Sequence, residues 1–581
     1  MKPIYLGAAT APVSVVVEKG GVRIRFKGTH LWGAGEHFDR IEFLSHTRQN
    51  EVKEVFTRQG EHTYLPQPLF LSDEVAFLVQ SDCVFSLDSQ GEEGDIALTL
   101  IGEFSADDAL VIATGTPKET LPKILSYLGG VTLPPAWVFG EWASANRWHS
   151  EQDVLETLDA ARFHAFPISA LVVEAWSDES TFYTFSEEPG LWPDPAALVK
   201  KMNAQGVRLI LWQCPVFKAL EEGRRDRRHE QDLAYIREHK LAVMNRDGTP
   251  YTIPEGHWFS GSMVPDFSNP ETRAWWFSKR QYLLKLGVSG FKTDGGECIL
   301  SDGAQFHDGT TGKTMRNRYP QSYIDSYQQF LGPERITFSR AGYLGAQGSM
   351  LYWAGDQLSQ WSELQAVLKA GLSASISGIF WWGFDIGGFA GPLPSKELYL
   401  RSYELGSLVP VMQWHSEPVG GQFSSVMRSE DRINDRSPWN MAAKHGEEVL
   451  SITRRYSMMR QSLQWYLIRE AEVSRRTLQP MMRPLFYEFG NRYSDVNDQY
   501  LLGRSLLVAP ILEEHQTKRT VILPEGIWYD LFSQETITGP CLMEREYSCE
   551  RIGIFINTLD EEFSRLKVSF LSVPGRLFTD N

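Results

Sequence analysis

The stretch from residue 131 to about residue 440 alternates short apolar segments with segments that have the periodicity of amphipathic helices. Clear helical candidates are residues 150–163, 270–286, 321–331 and 361–375. Candidates for buried strands are residues 137–141, 170–174, 207–212, 290–293, 336–339, 351–353, 379–382 and 409–413. Parallel strands need crossover connections, which are usually helical, and eight such units close into a barrel. The pattern therefore predicts an α/β protein whose centre is a (β/α)8 TIM barrel.

Different patterns flank and interrupt this region. Residues 1–130 contain alternating and β-branched segments such as 13–17, 22–26 and 96–101, which predict an N-terminal β-sandwich. Residues 441–581 begin with a helical segment at 447–467 and then return to strands, which predicts one or two small C-terminal β domains. The segment 213–268 is too long for one loop and too polar for a core. We expect it to be an insertion that folds over the mouth of the barrel.

Composition excludes several classes of function. The formal net charge of -16 argues against nucleic acid as a partner, because phosphate binding needs basic patches. The sequence contains no run of about 18 apolar residues, so we expect no membrane span. Its five cysteines have neither metal-ligand spacing nor a disulfide pattern, and no signal peptide is evident, which favours the cytoplasm. The cysteines therefore predict no metal site, and a homo-oligomer is possible.

The active site of a TIM barrel forms at the carboxyl ends of its strands. Polar and aromatic side chains at or just past the predicted strand ends are Trp142, Trp176, Asp178, Trp212, Asp294, Glu297, Arg340, Trp353, Asp356, Asp385 and His415. Such a set suits a polyhydroxylated substrate, whose C–H faces stack on aromatic rings. Lys292 lies two residues before Asp294 and shares its side of the strand. It either reaches the pocket or forms a buried pair with a barrel carboxylate.

Two of these carboxylates have the placement that glycoside hydrolysis requires. Asp294 follows a strand and precedes two glycines, and Asp356 follows another strand beside aromatic residues that should raise its pKa. One such carboxyl attacks the anomeric carbon while the other protonates the leaving oxygen. Each residue alone is also consistent with a helix N-cap.

Motifs in a consistent order along nearly the whole chain carry a family resemblance. They are Gly33-Ala-Gly-Glu36-His-Phe, Pro66-Gln-Pro-Leu-Phe-Leu-Ser72, Pro265-Asp-Phe-Ser-Asn-Pro-Glu271, Phe291-Lys-Thr-Asp-Gly-Gly-Glu297, Ser339-Arg-Ala-Gly-Tyr343, Trp353-Ala-Gly-Asp356, Asp385-Ile-Gly-Gly-Phe389, His415, Met482-Arg-Pro-Leu485 and Gln499-Tyr-Leu-Leu-Gly503. Together they resemble glycoside hydrolase family 31, a family of retaining α-glycosidases.

The resemblance implies roles for individual residues. Asp294 matches the nucleophile, Asp356 the acid/base, and Arg340 and His415 the residues that hold glycone hydroxyls. Asp385 matches a stretch beside the pocket. The resemblance also implies exo-action on a terminal α-linked sugar and no cofactor.

The chain departs from the usual α-glucosidase pattern at the second barrel strand. Where those enzymes carry Asp-x-Asp, this chain reads Glu174-Ala-Trp176-Ser-Asp178. The sequence Phe-Lys-Thr-Asp around Lys292 is similar to the α-xylosidase branch. An α-glucoside or α-xyloside leads among the glycones, ahead of an α-galactoside, α-N-acetylgalactosaminide or sulfoquinovoside. An α-transglycosylase, a catalytically silent sugar-binding protein and a metal-dependent barrel enzyme are the alternative functions.

Overall fold

The N-terminal region is a β-sandwich in the computed structural model of the chain, which describes residues 1–7, 12–18, 20–57, 59–92, 94–145, 148–178, 180–220, 222–415 and 435–574. Its elements are β1 Lys2–Leu6, β2 Val13–Glu18, β3 Gly21–Lys27, β4 Leu31–Gly35, β5 Thr47–Asn50, β6 Pro66–Ser72, β7 Val75–Gln80, β8 Phe85–Glu92, β9 Asp95–Gly102, β10 Ala109–Thr114 and α1 Pro117–Tyr127. The strands form two five-stranded sheets, in the orders β1-β10-β7-β6-β4 and β2-β3-β9-β8-β5. Alternating side chains such as Ile24, Leu98 and Phe77 fill the space between the sheets.

A closed barrel of eight parallel strands follows. Its strands are β11 Glu141–Ala145, β12 Ile168–Val173, β13 Arg208–Gln213, β14 Gly290–Thr293, β15 Ile336–Ser339, β16 Leu351–Trp353, β17 Trp382–Ile386 and β18 Val411–Trp414. Helices in this region are α2 Glu151–Phe163, α3 Pro195–Ala204, α4 Arg227–Glu238, α5 Pro270–Leu286, α6 Gly312–Leu331, α7 Trp361–Ile376 and α8 Lys396–Gly406. Strands β11 and β18 pair in parallel and complete the closure, so the predicted fold class is confirmed.

Local sequence fixes the ends of these helices. The Ser150 side chain accepts a hydrogen bond from the Asp153 amide at the start of α2. At α5, Asn269 is the N-cap, Pro270 occupies the first turn, and Gly287 ends the helix with φ 97°.

Two of the predicted barrel strands are shifted. The segment predicted at 137–141 begins as a 3-10 helix, Ala136–Phe139, and the strand starts only at Glu141. The segment predicted at 379–382 is the turn after α7, and β17 starts at Trp382. In both places buried apolar residues lie in a turn, and hydrophobicity alone does not separate a buried turn from a buried strand. As a result Trp142 and Asp385 lie within strands rather than beyond them.

The C-terminal region packs one sheet against a long helix. Its elements are α9 Pro438–His445, α10 Glu447–Thr477, β19 Met482–Pro484, α11 Leu485–Phe489, β20 Tyr500–Leu502, β21 Leu506–Ala509, β22 Lys518–Asp530, β23 Thr536–Glu546, β24 Gly553–Asn557 and α12 Phe563–Leu571. The sheet has six strands in the order β19-β20-β21-β24-β22-β23. Helix α10 continues past the predicted end at residue 467. The predicted strands 520–523 and 527–531 fall largely within β22, in which they are continuous.

Buried polar contacts join the flanking regions to the barrel. The Arg460 guanidinium of α10 donates to the carbonyls of Phe139 (2.8 Å) and Pro410 (2.6 Å), which precede β11 and β18 at the end of the barrel opposite the active site. On another side, Ser373 of α7 donates to the Gly35 carbonyl of β4 at 2.7 Å. Within the described ranges, no helix combines the length and apolar character that crossing a membrane requires.

Candidate active site

The Arg340 guanidinium lies at the centre of a cluster of carboxylates at the barrel mouth. Its Nε is 3.3 Å from Asp294 Oδ1, and its Nη1 is 3.2 Å from Asp356 Oδ2. Glu297 binds the same guanidinium through both of its oxygens, at 3.0 and 3.2 Å. Glu54 of the N-terminal region approaches Nη2 at 3.4 Å. One almost fully buried arginine thus contacts both predicted catalytic carboxylates.

Asp294 is held in a fixed orientation directly after β14. Its Oδ2 accepts a hydrogen bond from the Trp212 indole at 2.9 Å, and its backbone amide donates to the Gln213 carbonyl at 2.9 Å. The next two residues are Gly295 and Gly296, with φ of 75° and 111°, a region that disfavours any residue with a Cβ. The carboxylate therefore stands at a tight turn, and a Cβ on Gly296 would crowd Pro320.

Asp356 lies after β16, and its side chain is 13 % exposed. Burial raises the pKa of Asp356 well above its ordinary value; Arg340 opposes this rise, and the negative charge of Asp294 adds to it. A raised pKa keeps this carboxyl protonated at pH values where an exposed aspartate is ionised. That is the property required of a general acid.

A second charged cluster lies beside the first, deeper in the barrel. Lys292 Nζ is 2.6 Å from Glu174 Oε1 and 4.4 Å from the centre of the Trp353 ring, and His415 Nε2 is 3.0 Å from the same Glu174 oxygen. Burial opposes ionisation of Glu174, but Lys292 and His415 together hold its pKa far below the ordinary value. Of the two interpretations of Lys292, the pair with a barrel carboxylate is present. Asp385 accepts a hydrogen bond from Gln413 at 2.5 Å.

Replacing Lys292 with methionine should destabilise the fold strongly, because the Glu174 carboxylate would stay buried without its lysine partner and with only the His415 ring beside it. We expect a loss of about 3–5 kcal/mol in the free energy of unfolding at neutral pH, measured by urea denaturation. The loss should shrink as the pH falls, because the pair contributes only while Glu174 is ionised.

The control is Lys396→Met, which breaks an exposed pair with Glu448. Exposed pairs contribute about 0–1 kcal/mol, so this variant should unfold almost like the parent. Equal losses in the two variants would contradict the importance of burial.

Several aromatic residues support the cluster. The Trp176 indole donates to the Trp212 carbonyl at 3.0 Å, and Trp212 in turn reaches Asp294. From the 213–268 segment, Trp258 lies 5.2 Å from the guanidinium carbon of Arg340 and packs against Trp212. Phe389 stacks on the His415 ring.

Two of the predicted residues are engaged elsewhere. Trp142 is fully buried within β11, donates to the Val138 carbonyl, and packs against Phe338. Asp178 uses its carboxylate to accept hydrogen bonds from Ser180 and Thr181, which closes a turn. A role of Asp178 in substrate binding stays a prediction.

Sequence reasoning missed three residues that meet at Arg340: Glu54, Tyr64 and Trp258. The Arg340 guanidinium carbon lies 4.6 Å from the centre of the Tyr64 ring. These residues come from segments far apart in sequence, and the only signal for Tyr64 was its position just before the motif beginning at Pro66. A cleft lies beside the turn that follows Asp294, and its lining includes Glu54, Ile253, His257, Trp258, Glu297 and Leu300.

The chain is similar over most of its length to several known proteins. The glycosyl hydrolases family 31 TIM-barrel domain matches residues 131–469, and the glycosyl hydrolase family 31 C-terminal domain matches residues 478–558. A 1,3-alpha-isomaltosidase from Kribbella flavida is 34 % identical over 93 % of this chain and 77 % of that protein. An isomaltosyltransferase from Sporosarcina globispora is 33 % identical over 86 % of this chain but only 48 % of that protein.

A solved structure is also similar. The cycloalternan-degrading enzyme from Trueperella pyogenes, in complex with a covalent intermediate, superposes with a TM-score of 0.86 at 31 % identity, covering 93 % of this chain and 78 % of that one. The family model covers the whole barrel and more than half of the sequence. The chain therefore belongs to glycoside hydrolase family 31.

Proposed function

We propose that the protein is a retaining, exo-acting α-glycosidase whose substrates are neutral α-glucosyl oligosaccharides, with α-xylosides as the next glycone. The observation that carries this proposal is the contact of Arg340 with both Asp294 and Asp356. This contact supports a pair of carboxyls that face one reacting bond, of which Asp356 is kept protonated by burial. This is the arrangement that glycosyl transfer through a covalent intermediate needs.

In the first step the Asp294 carboxylate attacks the anomeric carbon while Asp356 gives its proton to the departing oxygen. The products are a β-linked glycosyl ester on Asp294 and the released alcohol. In the second step Asp356 takes a proton from water, and that water attacks the anomeric carbon and breaks the ester bond. Two inversions return the sugar with its original α configuration, and both carboxyls return to their starting states.

Charge around the site supports a neutral glycone. Arg340 is surrounded by carboxylates, and Lys292 is paired with Glu174. Neither cation is therefore available to pair with a sulfonate, which argues against a sulfoquinovoside. The similarity to a 1,3-alpha-isomaltosidase supports an α-glucose-based substrate for this chain, including one with an isomaltosyl group at its non-reducing end.

Transglycosylation is the second candidate, in which a sugar hydroxyl replaces water in the second step. The related isomaltosyltransferase and the cleft beside Asp294, which Trp258 lines, favour it. An indole of this kind can stack on the C–H face of an acceptor sugar.

A panel of aryl α-glycosides tests the proposal. We expect turnover of the α-glucoside and α-isomaltoside, weaker turnover of the α-xyloside, and none of the α-galactoside, α-N-acetylgalactosaminide or α-sulfoquinovoside. NMR should show the α-anomer as the first product, and product analysis at high substrate concentration distinguishes water from sugar as the acceptor. A β-anomer as first product, or preference for the sulfoquinovoside, would overturn the proposal.

A further inference from the structure

Two residues of the N-terminal region, Thr57 and Tyr64, lie against the loop that carries Asp356. Thr57 forms a parallel bridge with Gln357, the residue after Asp356. Tyr64 packs against Gly355, the residue before it, so closely that a methyl group on Gly355 would overlap the Tyr64 ring. The acid/base residue is thus held on both sides by a region that lies outside the barrel.

The Tyr64 ring also contacts the guanidinium that binds Asp356. The Arg340 guanidinium carbon lies 4.6 Å from the ring centre, which is the geometry of a cation–π contact. Arg340 Nη1 is 3.2 Å from Asp356 Oδ2. The same aromatic ring therefore restricts the position of the backbone before Asp356 and the position of the guanidinium that contacts the Asp356 carboxylate.

The hydroxyl of Tyr64 does not account for these contacts. Tyr64 is fully buried, and its hydroxyl has no hydrogen-bond partner among the described residues. Burial raises the pKa of Tyr64 well above its ordinary value, so the phenol stays neutral. The contacts with Gly355 and Arg340 both involve the ring.

We propose that the ring of Tyr64 is a positioning element for the general acid: it holds the Gly355–Gln357 loop and Arg340 so that Asp356 stays buried and aimed at the leaving oxygen. This inference rests on the proposed function, because it assumes that Asp356 protonates the leaving group. On this inference, the N-terminal region helps to fix the position of the Asp356 carboxyl.

The test is Tyr64→Leu, which removes the ring and keeps an apolar side chain. A general acid contributes about 10²–10⁴-fold, so partial misplacement should lower kcat/KM for an α-linked disaccharide by about ten- to a hundredfold. An α-glycosyl fluoride needs no protonation to leave, and its kcat/KM should fall by less than about threefold. The basic limb of the pH profile for the disaccharide should also move to lower pH, because water that reaches Asp356 lowers its pKa.

Two controls separate the ring from other effects. Tyr64→Phe removes only the unpaired hydroxyl and should behave like the parent. Tyr343→Leu removes another ring of the buried cluster that contains Tyr64, and it should lose stability without distinguishing the two substrates.

Tyr64→Met is the second test variant if Tyr64→Leu fails to fold, because its longer apolar side chain fills more of the space that the ring leaves. It also removes the ring and should produce the same selective loss on the disaccharide. Parent turnover of both substrates establishes the activity independently. Equal losses on disaccharide and fluoride in Tyr64→Leu and Tyr64→Met, or a full loss in Tyr64→Phe, would overturn the role of the ring while leaving the glycosidase assignment in place.

Discussion

Replacing Asp294 with asparagine should lower kcat on an aryl α-glucoside by about 10⁴-fold or more, equivalent to roughly 5.5 kcal/mol of activation free energy. An amide cannot form the glycosyl ester, although its oxygen can still accept the hydrogen bond from Trp212. The fold should therefore survive while the chemistry stops. Steady-state rates and a thermal unfolding curve measure the two separately.

A matched control is Asp325→Asn on α6, where the carboxylate accepts a hydrogen bond from Gln321 away from the barrel mouth. This variant should keep the parent rate. A mechanism-based 5-fluoroglycosyl fluoride should also label the parent on the peptide that contains Asp294, as mass spectrometry can detect. Substantial turnover by Asp294→Asn, or a label on another carboxylate, would remove Asp294 from the role of nucleophile.

Replacing Asp356 with alanine should have an effect that depends on the leaving group. Release of a sugar alcohol should fall by about 10²–10⁴-fold, since this is the contribution of general acid catalysis, while an aryl group with a low pKa should depart far more readily. The second step should then limit turnover, because no base remains to activate water. Azide needs no base and should restore turnover of the activated substrate.

The stereochemistry of the azide product is the sharper measurement. Azide that enters from the side vacated by Asp356 attacks the β-linked ester and gives an α-glycosyl azide. The same experiment on Asp294→Asn should give no α-azide, because that variant forms no ester. A β-azide from Asp356→Ala would reverse the assignment of the two carboxyls.

The proximity of the two proposed catalytic aspartates could be predicted because both residues follow strands closely, and a barrel brings all such positions to one mouth. The predicted strand bounds were wrong where buried apolar turns resemble strands, as at residues 137–141 and 379–382. The family resemblance identified Arg340 as a pocket residue, but its contacts with both aspartates depend on the closed barrel.

The features that could not be predicted from the sequence depend on contacts between segments that are far apart along the chain. The pairing of Lys292 with Glu174 requires the exact register between strands that are 118 residues apart in sequence. Glu54 and Tyr64 reach the site only because the N-terminal sandwich docks on the barrel. Neither residue lies in a local pattern that indicates chemistry.

In the proposed mechanism, the contact of Arg340 with both Asp294 and Asp356 implies that the acidity of Asp356 changes during each catalytic cycle. In the resting protein the charge of Asp294 raises the pKa of Asp356 and Arg340 lowers it, although burial contributes most to the raised value. Once Asp294 is esterified, its charge disappears and the guanidinium has one anion fewer to neutralise. Asp356 then ionises more easily, at the moment when the reaction requires a base. One immobile arginine would thus allow a single carboxyl to donate a proton and then accept one, with no movement of the chain.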